Sequence, residues 1–426
     1  MVLVAQTLVG VIETYFIGLL GTEALAGVSL VFPVLMLMQM MSNGGLGGGV
    51  ASAIARALGA GRSDDADALV WHAIVIACIF GGLFSLALIW GGPWLYHTMG
   101  GRGQALEAAL LYSGVVFAGS IPIWITALLS SALRGAGNMQ VPAMVTLGGF
   151  VLLIPLSPVL IFGWGPFPQL GVAGGGAAVL IYYLLAMLVL GLYMRSPQSP
   201  LALRIAPLRW RLFKDMLGVG LLSALGSIQL NLTVVFVTAA VGLFGADAIA
   251  GYGIASRLDY IQIPILFGIG TALLTMVGVN IGAGQLDRAR RIAWTGAVVS
   301  FVVTELIGVT ALLFPHAWIG LFSDDPDVHA MAALYIRNVA PVYGFVGLGL
   351  ALYFASQGAG RVLLPVLAGT ARMIIAAFVG WLAVAWYGVG LSTLFLIVGC
   401  ASVTYGAIVA ATMLLGAWGH PARWQM

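Results

Sequence analysis

The sequence predicts an all-α integral membrane protein of twelve transmembrane helices, in two six-helix lobes related by a parallel internal repeat. Three observations predict it. Of 426 residues, 61% are hydrophobic and only 7% charged, with a mean hydropathy of +1.08; a soluble chain this apolar has too little polar surface to cover itself. The charges collect in short loops between about twelve apolar stretches, each close to the roughly 20 residues a helix needs to cross a bilayer. The chain also repeats itself. Gly21-Thr22-Glu23-Ala24-Leu25-Ala26-Gly27 returns 224 residues on as Gly245-Ala246-Asp247-Ala248-Ile249-Ala250-Gly251. At an offset of 223, Leu58-Gly59-Ala60-Gly61 returns as Ile281-Gly282-Ala283-Gly284, and Arg134-Gly135-Ala136-Gly137 with Pro142 as Gln357-Gly358-Ala359-Gly360 with Pro365. Tyr112, ahead of Pro122, returns as Tyr335 at the same offset. One offset in one direction means two half-molecules of one design, the plan of transporters with two lobes about a central path.

Charged and Pro/Gly loops bound each element in turn. The first lobe, 1–194, is read as helices near 2–20, 28–57, 67–91, 105–133, 139–163 and 171–194. A linker follows over 195–212, rich in arginine and broken by Pro197, Pro200 and Pro207. The second lobe, 213–426, is read as helices near 213–240, 248–281, 289–314, 328–356, 362–387 and 391–417. No extramembrane domain is predicted.

Basic residues orient the chain. With both termini and the linker cytoplasmic, that side collects Arg56, Arg62, Arg134, Arg195, Arg204, Arg209, Arg211, Lys214, Arg288, Arg290, Arg291, Arg361 and Arg423, which is 13 of the 17 Lys+Arg. Only Arg102 falls on the other face, an asymmetry that the positive-inside rule reads directly. The net charge of +3 therefore reports topology, and nucleic-acid binding is not expected. No cleavable signal peptide is read, because the first stretch lacks a basic start and carries Glu13 in its apolar run. It begins abruptly, with Met1 almost at the membrane edge, which leaves open a start further upstream. Cys78 and Cys400 both sit mid-span and are read as buried free thiols. The expected setting is the cell (inner) membrane, the expected working unit a monomer, and neither cofactor nor metal is expected.

Several loop motifs together resemble a known family. They are Glu13-Thr14-Tyr15-Phe16-Ile17-Gly18 with Gly21-Thr22-Glu23-Ala24-Leu25-Ala26, Leu58-Gly59-Ala60-Gly61-Arg62, Ala132-Leu133-Arg134-Gly135-Ala136-Gly137-Asn138 and Leu170-Gly171-Val172-Ala173-Gly174. In the second half they are Ala255-Ser256-Arg257-Leu258, Asn280-Ile281-Gly282-Ala283-Gly284 and Gln357-Gly358-Ala359-Gly360. Their order and twofold recurrence resemble the multidrug and toxic compound extrusion (MATE) family of the multidrug/oligosaccharidyl-lipid/polysaccharide (MOP) exporter superfamily. That resemblance covers essentially the whole chain. It implies a twelve-helix antiporter that expels organic, often cationic, compounds against an inward flow of H+ or Na+.

Glu13 is the leading candidate for proton coupling. It lies about seven residues, on the order of 10 Å, from the outer end of the first span. An ionised carboxylate at that depth is costly unless it faces water, and withdrawal from water favours the protonated form. By resemblance it occupies the position where proton-coupled relatives carry an aspartate; snorkelling to the outer interface is the alternative. Where many relatives have an acidic residue before a proline in span 5, this chain has Ser157-Pro158-Val159-Leu160-Ile161-Phe162-Gly163, and Leu153 stands where those relatives often have Asn. One carboxylate and a serine make a thin set for Na+, which favours H+. Ser157 is then a candidate partner for Glu13, with a bond to its own helix backbone the alternative. In the second lobe Asp259 is a candidate for proton coupling or cation contact, with neutralisation by Arg257 or Arg372 as the alternative. Glu305, deep in its span and with no counterpart in the first half, is read as neutral or paired, with a functional role as the alternative.

Tyr15, Gln39, Trp124, Gln229, Asn231, Tyr260 and Gln262 are candidates to read the substrate, since aromatic faces attract organic cations. Ordinary helix packing is the alternative for each. The runs Gly44-Gly45-Leu46-Gly47-Gly48-Gly49 and Gly174-Gly175-Gly176 are not phosphate loops, because no Lys-Ser/Thr follows either. They read as places where helices approach closely, and with Pro33, Pro142, Pro155, Pro158 and Pro264 as places where helices bend. Two other functions fit the sequence less well. A lipid-linked saccharide flippase wants an Arg-lined cavity, and only Arg257 and Arg372 lie deep in the membrane. A membrane-embedded enzyme wants a paired catalytic set, and no H-E-x-x-H or G-x-S-x-G is present.

Overall fold

The computed structural model describes residues 12–416 and 418–419; the start of the first predicted span, the end of the last, His420 and Arg423 lie outside the described residues. All regular structure among the described residues is helical. In chain order, α1 is helical over 12–18. α2 is Thr22–Gly59, α3 Ser63–Thr98, and α4 the bent pair Gly103–Ala118 and Ser120–Gly135. α5 is Gln140–Phe162, α6 Val172–Tyr193, α7 Trp210–Gly242, α8 Ala246–Gly282 and α9 Leu286–Leu313. α10 is Pro326–Gly358, α11 Leu363–Tyr387 and α12 Leu391–Leu414. Among the described residues ten of these are long and apolar enough to cross a membrane, and eleven if the two arms of α4, bent by 50°, are one span. The twelfth predicted span is α1, which lies partly outside the described residues. The protein is a multi-pass α-helical membrane protein.

Two compact units divide the described chain. One runs to Ile54 and resumes over Arg62–Met216; the other takes Ala55–Gly61 and the chain from Leu217 onward. In the first unit the first arm of α4 packs on α2 and the second arm on α3; in the second unit α10 is broken at Ala340–Val342, its first arm, Pro326–Val339, packing on α8 and its second, Tyr343–Gly358, on α9.

The recurring glycines sit where both arms of α4 meet α2 and both arms of α10 meet α8. A Cβ on Gly27 would lie 2.6 Å from the Ala105 carbonyl oxygen, and one on Gly251 would lie 2.9 Å from that of Val328. A Cβ on Gly135 would lie 2.5 Å from the Ala51 carbonyl oxygen, and one on Gly358 would lie 3.0 Å from the Leu274 carbonyl carbon. Within the second unit Gly59 meets Val279 and Gly282 meets Arg56 in the same manner. No side chain fits at such separations, so small residues permit the backbones to touch. Gly61 and Gly284, with φ of +71° and +73°, turn the chain through the left-handed region that ends each helix.

Bending departs in one detail from the sequence reading. Pro33 lies inside α2, but the departure from α geometry comes later, as widened π turns over Met41–Leu46 that lead into the glycine run. α11 carries a similar stretch over Ile374–Val379. The cysteines also need correction: both are free but exposed, not buried. Hydropathy cannot separate a core face from a lipid-facing one when both are apolar.

The linker is pinned to the start of α3. Asp65 accepts from Arg211 at 2.7 Å and pairs with Arg62 at 3.3 Å and Arg209 at 3.6 Å. Asp67 Oδ1 accepts from the Ala202 amide at 2.7 Å. The buried His72 bonds the Ala68 carbonyl through Nδ1 at 2.7 Å, and its Nε2 accepts the Arg209 amide at 2.8 Å. This places the proton of a neutral ring on Nδ1. The helix resumes at Trp210, slightly ahead of the predicted 213.

Candidate functional site

Glu13 is held by a tyrosine. The hydroxyl of Tyr112, buried on the first arm of α4, donates to Glu13 Oε1 at 3.1 Å. The glycine triplet of α6 forms the wall beside this pair. Gly174 faces α5, where a Cβ would lie 2.5 Å from the Leu160 carbonyl oxygen. Gly176 faces α4, where a Cβ would lie 3.2 Å from the Tyr112 carbonyl oxygen. Between them, a Cβ on Gly175 would lie 3.6 Å from both Glu13 Oε1 and Tyr112 Cε2. The triplet therefore brings α6 against α4 and α5 while leaving room for the carboxyl group. The expected bond from Ser157 to Glu13 is not formed: Ser157 is buried and its Oγ has no hydrogen-bond partner. The carboxyl lies between α4 and α6, where Tyr112 satisfies it first.

Asp259 is held the same way. Tyr335, on the first arm of α10, donates to Asp259 Oδ2 at 2.6 Å. The pair adjoins an aromatic cluster in which Tyr335 stands 5.4 Å from Tyr252 and 5.0 Å from Phe395, centroid to centroid. Arg257 does not neutralise Asp259; its guanidinium lies 4.9 Å from the centre of the Phe322 ring. That of Arg372 lies 5.8 Å from the centre of the Tyr405 ring and also acts electrostatically on Asp259, as the alternative reading of the sequence allowed. Tyr112 and Tyr335 entered the sequence reading as markers of the repeat, not as partners of carboxylates. Their recurrence at matched positions was the signal that a chemical role was available.

Glu305 has a structural explanation. Its Oε2 accepts the Gly344 amide at 2.7 Å. Gly344 is the second residue of the second arm of α10, where the amide has no partner within its own helix. A carboxylate there caps the arm and faces the positive end of its dipole. A Cβ at Gly344 would lie 2.8 Å from the same oxygen, so the glycine admits the cap.

The substrate candidates differ in exposure and in hydrogen-bond partners. Tyr15 is 63% exposed and Tyr260 55% exposed, so both rings are available. Trp124 is fully buried, stacked at 5.5 Å on Phe80, and is a packing residue of the first unit. Gln39 donates to the Tyr183 hydroxyl at 3.4 Å. Gln229 donates to Thr370 at 2.7 Å and so ties α7 to α11. Asn231 and Gln262 turn back to carbonyls of their own helices, those of Ser227 and Leu258.

A multi-pass helical bundle in two units, each holding a carboxylate in a tyrosine's grip, belongs to the class of membrane transporters. The MatE family model matches twice, over residues 1–159 and 223–382, and the chain belongs to the MATE family. It is 28% identical, over 85% of its length and 78% of the relative's, to "Probable multidrug resistance protein NorM" of Thermotoga maritima. It is also 28% identical to "FAD transporter" of Shewanella oneidensis, over 81% of this chain and 76% of the relative. "Multidrug export protein MepA" of Staphylococcus saprophyticus is 25% identical, over 84% and 80%. Among solved structures, a MATE protein in the bent conformation superposes with a TM-score of 0.89 at 22% identity, covering 97% of this chain and 92% of that one. A MOP superfamily transporter from Pyrococcus furiosus gives 0.87 at 22% identity, covering 98% and 93%. At that identity the structures speak for the fold alone.

Proposed function

We propose that the protein is a secondary antiporter that exports organic compounds, cationic ones foremost, in exchange for H+, with Glu13 as the group that carries the proton. The observation that carries this reading is the pairing of a carboxylate inside a membrane span with a neutral hydroxyl donor, Tyr112, at 3.1 Å. An arginine partner would hold Glu13 ionised; a tyrosine leaves both protonation states accessible. The group can then take a proton when open to one side of the membrane and return it on the other. Coupling requires only that its proton affinity differ between the two states and that cargo binding be linked to it.

H+ is favoured over Na+ because Na+ needs several hard oxygen ligands. Around Glu13 the family's acidic position is Ser157, whose Oγ has no hydrogen-bond partner, and the Asn position is Leu153. Cationic cargo is supported by the exposed rings of Tyr15 and Tyr260 and by relatives named for multidrug resistance and export. The relative named as an FAD transporter makes an anionic flavin nucleotide the informative control. A saccharide-lipid flippase is disfavoured, because the two deep arginines are engaged with Phe322 and Tyr405. The 13 basic residues on one face support cytoplasmic termini in the cell membrane.

The test is transport by purified wild-type protein in liposomes, with pH and Na+ gradients imposed separately and a fluorescent organic cation or a flavin nucleotide as cargo. A pH gradient alone should drive export of the cation. Export driven by Na+ alone, or of the flavin and not the cation, would overturn the corresponding part of this reading.

A further inference from the structure

Arg290 and Arg291 stand in the first turns of α9 with nothing to answer their charge. Among the described residues neither guanidinium takes part in an ion pair or a hydrogen bond. Asp287 precedes them by three and four residues, the spacing at which helical side chains meet, yet it pairs with neither. It is also the only acidic residue between Asp259 and Glu305. Arg288 is occupied otherwise, donating to Gln285 Oε1 at 3.4 Å.

The two arginines share a cleft of about 440 Å³ with Trp294 and Thr295 of α9 and with Met413 and Leu414 of α12. Such a volume falls in the range of small-ligand sites, roughly 300–1,000 Å³. Its floor is fixed, because Met413 belongs to the buried apolar cluster of Ala289, Ala293 and Trp418, on which Trp294 packs. Its rim is open: Leu414 is 73% exposed, and Arg291 and Thr295 are exposed as well. The chain leaving α12 does not fill it. Trp418 donates to Ser356 Oγ on α10 at 3.3 Å, and no described residue beyond Leu414 lines the cleft.

One side of the cleft is cationic and the other apolar, and both lie where α9 begins and α12 ends. The distribution of basic residues reads those ends as cytoplasmic, at the depth of lipid headgroups. Guanidinium groups suit a phosphate, because their N–H groups fork onto its oxygens. A zwitterionic lipid brings its own cation to the same place and loses much of that attraction; an anionic lipid does not. Basic pockets between transmembrane helices hold such headgroups. A cation of the kind proposed as cargo is repelled here, so the cleft is no second cargo site.

We propose that this cleft binds one anionic glycerophospholipid of the surrounding leaflet. Arg290 and Arg291 take its phosphodiester, and its glycerol and upper acyl carbons lie against Trp294, Met413 and Leu414. The lipid then ties the start of α9 to the end of α12. This site goes beyond the antiport reading and does not depend on which ion drives export.

The test is native mass spectrometry of the full-length protein in mild detergent, offered phosphatidylglycerol, phosphatidylethanolamine or glycerol 3-phosphate at equal concentration. Wild type should retain phosphatidylglycerol several-fold above the other two. Arg290→Gln/Arg291→Gln should lower that retention to the level of phosphatidylethanolamine. Leu414→Asp, at an exposed position, sets a carboxylate in the same cleft and should do likewise, which decides the matter if the double variant does not fold. Arg195→Gln/Arg204→Gln removes two exposed charges of the linker and should leave retention unchanged. Retention that survives in both cleft variants, or that falls equally in the linker variant, would overturn the site. Glycerol 3-phosphate held as well as the lipid would overturn the lipid in favour of a free phosphate.

Discussion

Tyr112 holds Glu13 without cancelling its charge, and that choice of partner governs how the site behaves. A hydrogen bond to a charged group contributes about 1.5–3 kcal/mol, enough to orient a carboxylate but short of what an ion pair in a dry site would impose. Tyr112→Phe removes the donor and weakens only the ionised state. At about 1.4 kcal/mol per pH unit, the pH profile of efflux should move by about 1–2 units toward higher pH. A profile that stays in place, measured as initial efflux rate against pH, would show that Tyr112 does not touch the coupling group. The two carboxylates were legible in the sequence because charges stand out in apolar spans. Their partners were not, since Tyr112 lies 99 residues from Glu13 and Tyr335 lies 76 from Asp259. Such pairs form only when helices pack. The expectation of Ser157 failed for a related reason: it took one helix's sequence pattern for a neighbour relation that α4 and α6 decide.

At the scale of elements, the span boundaries were the most legible part, because loops in this chain are marked by glycine, proline and arginine. The break in α10 was not, since Ala340-Pro341-Val342 reads as one apolar stretch with its surroundings. What makes the break tenable is Glu305, which supplies the acceptor that the Gly344 amide lacks in its own helix. This assigns Glu305 to structure, and the assignment is testable. Glu305→Gln keeps an acceptor oxygen and should retain transport with a small loss of stability. Glu305→Ala strands a buried amide and should cost about 1–3 kcal/mol, read as a lowered melting temperature in detergent. Equal melting temperatures for the two variants would contradict the cap, and loss of pH-driven efflux in a well-folded Glu305→Gln would return the residue to the coupling chemistry.

For the whole molecule, the sequence repeats its glycine and tyrosine markers in both halves, while Glu13 and Asp259 stand on different helices, α1 and α8. The glycines recur because they stand at equivalent helix crossings. The tyrosines also recur as hydroxyl donors, each to a carboxylate supplied by a different helix. The two units grip different acids in the same way, on a frame that the MATE fold provides. The central claim remains that a proton on Glu13 drives export. It is tested most directly by Glu13→Gln in liposomes under an imposed pH gradient, with binding of the fluorescent cation measured on the same preparation. The account predicts that binding persists while gradient-driven export falls to the level of protein-free liposomes. Export by Glu13→Gln at the wild-type rate would contradict it.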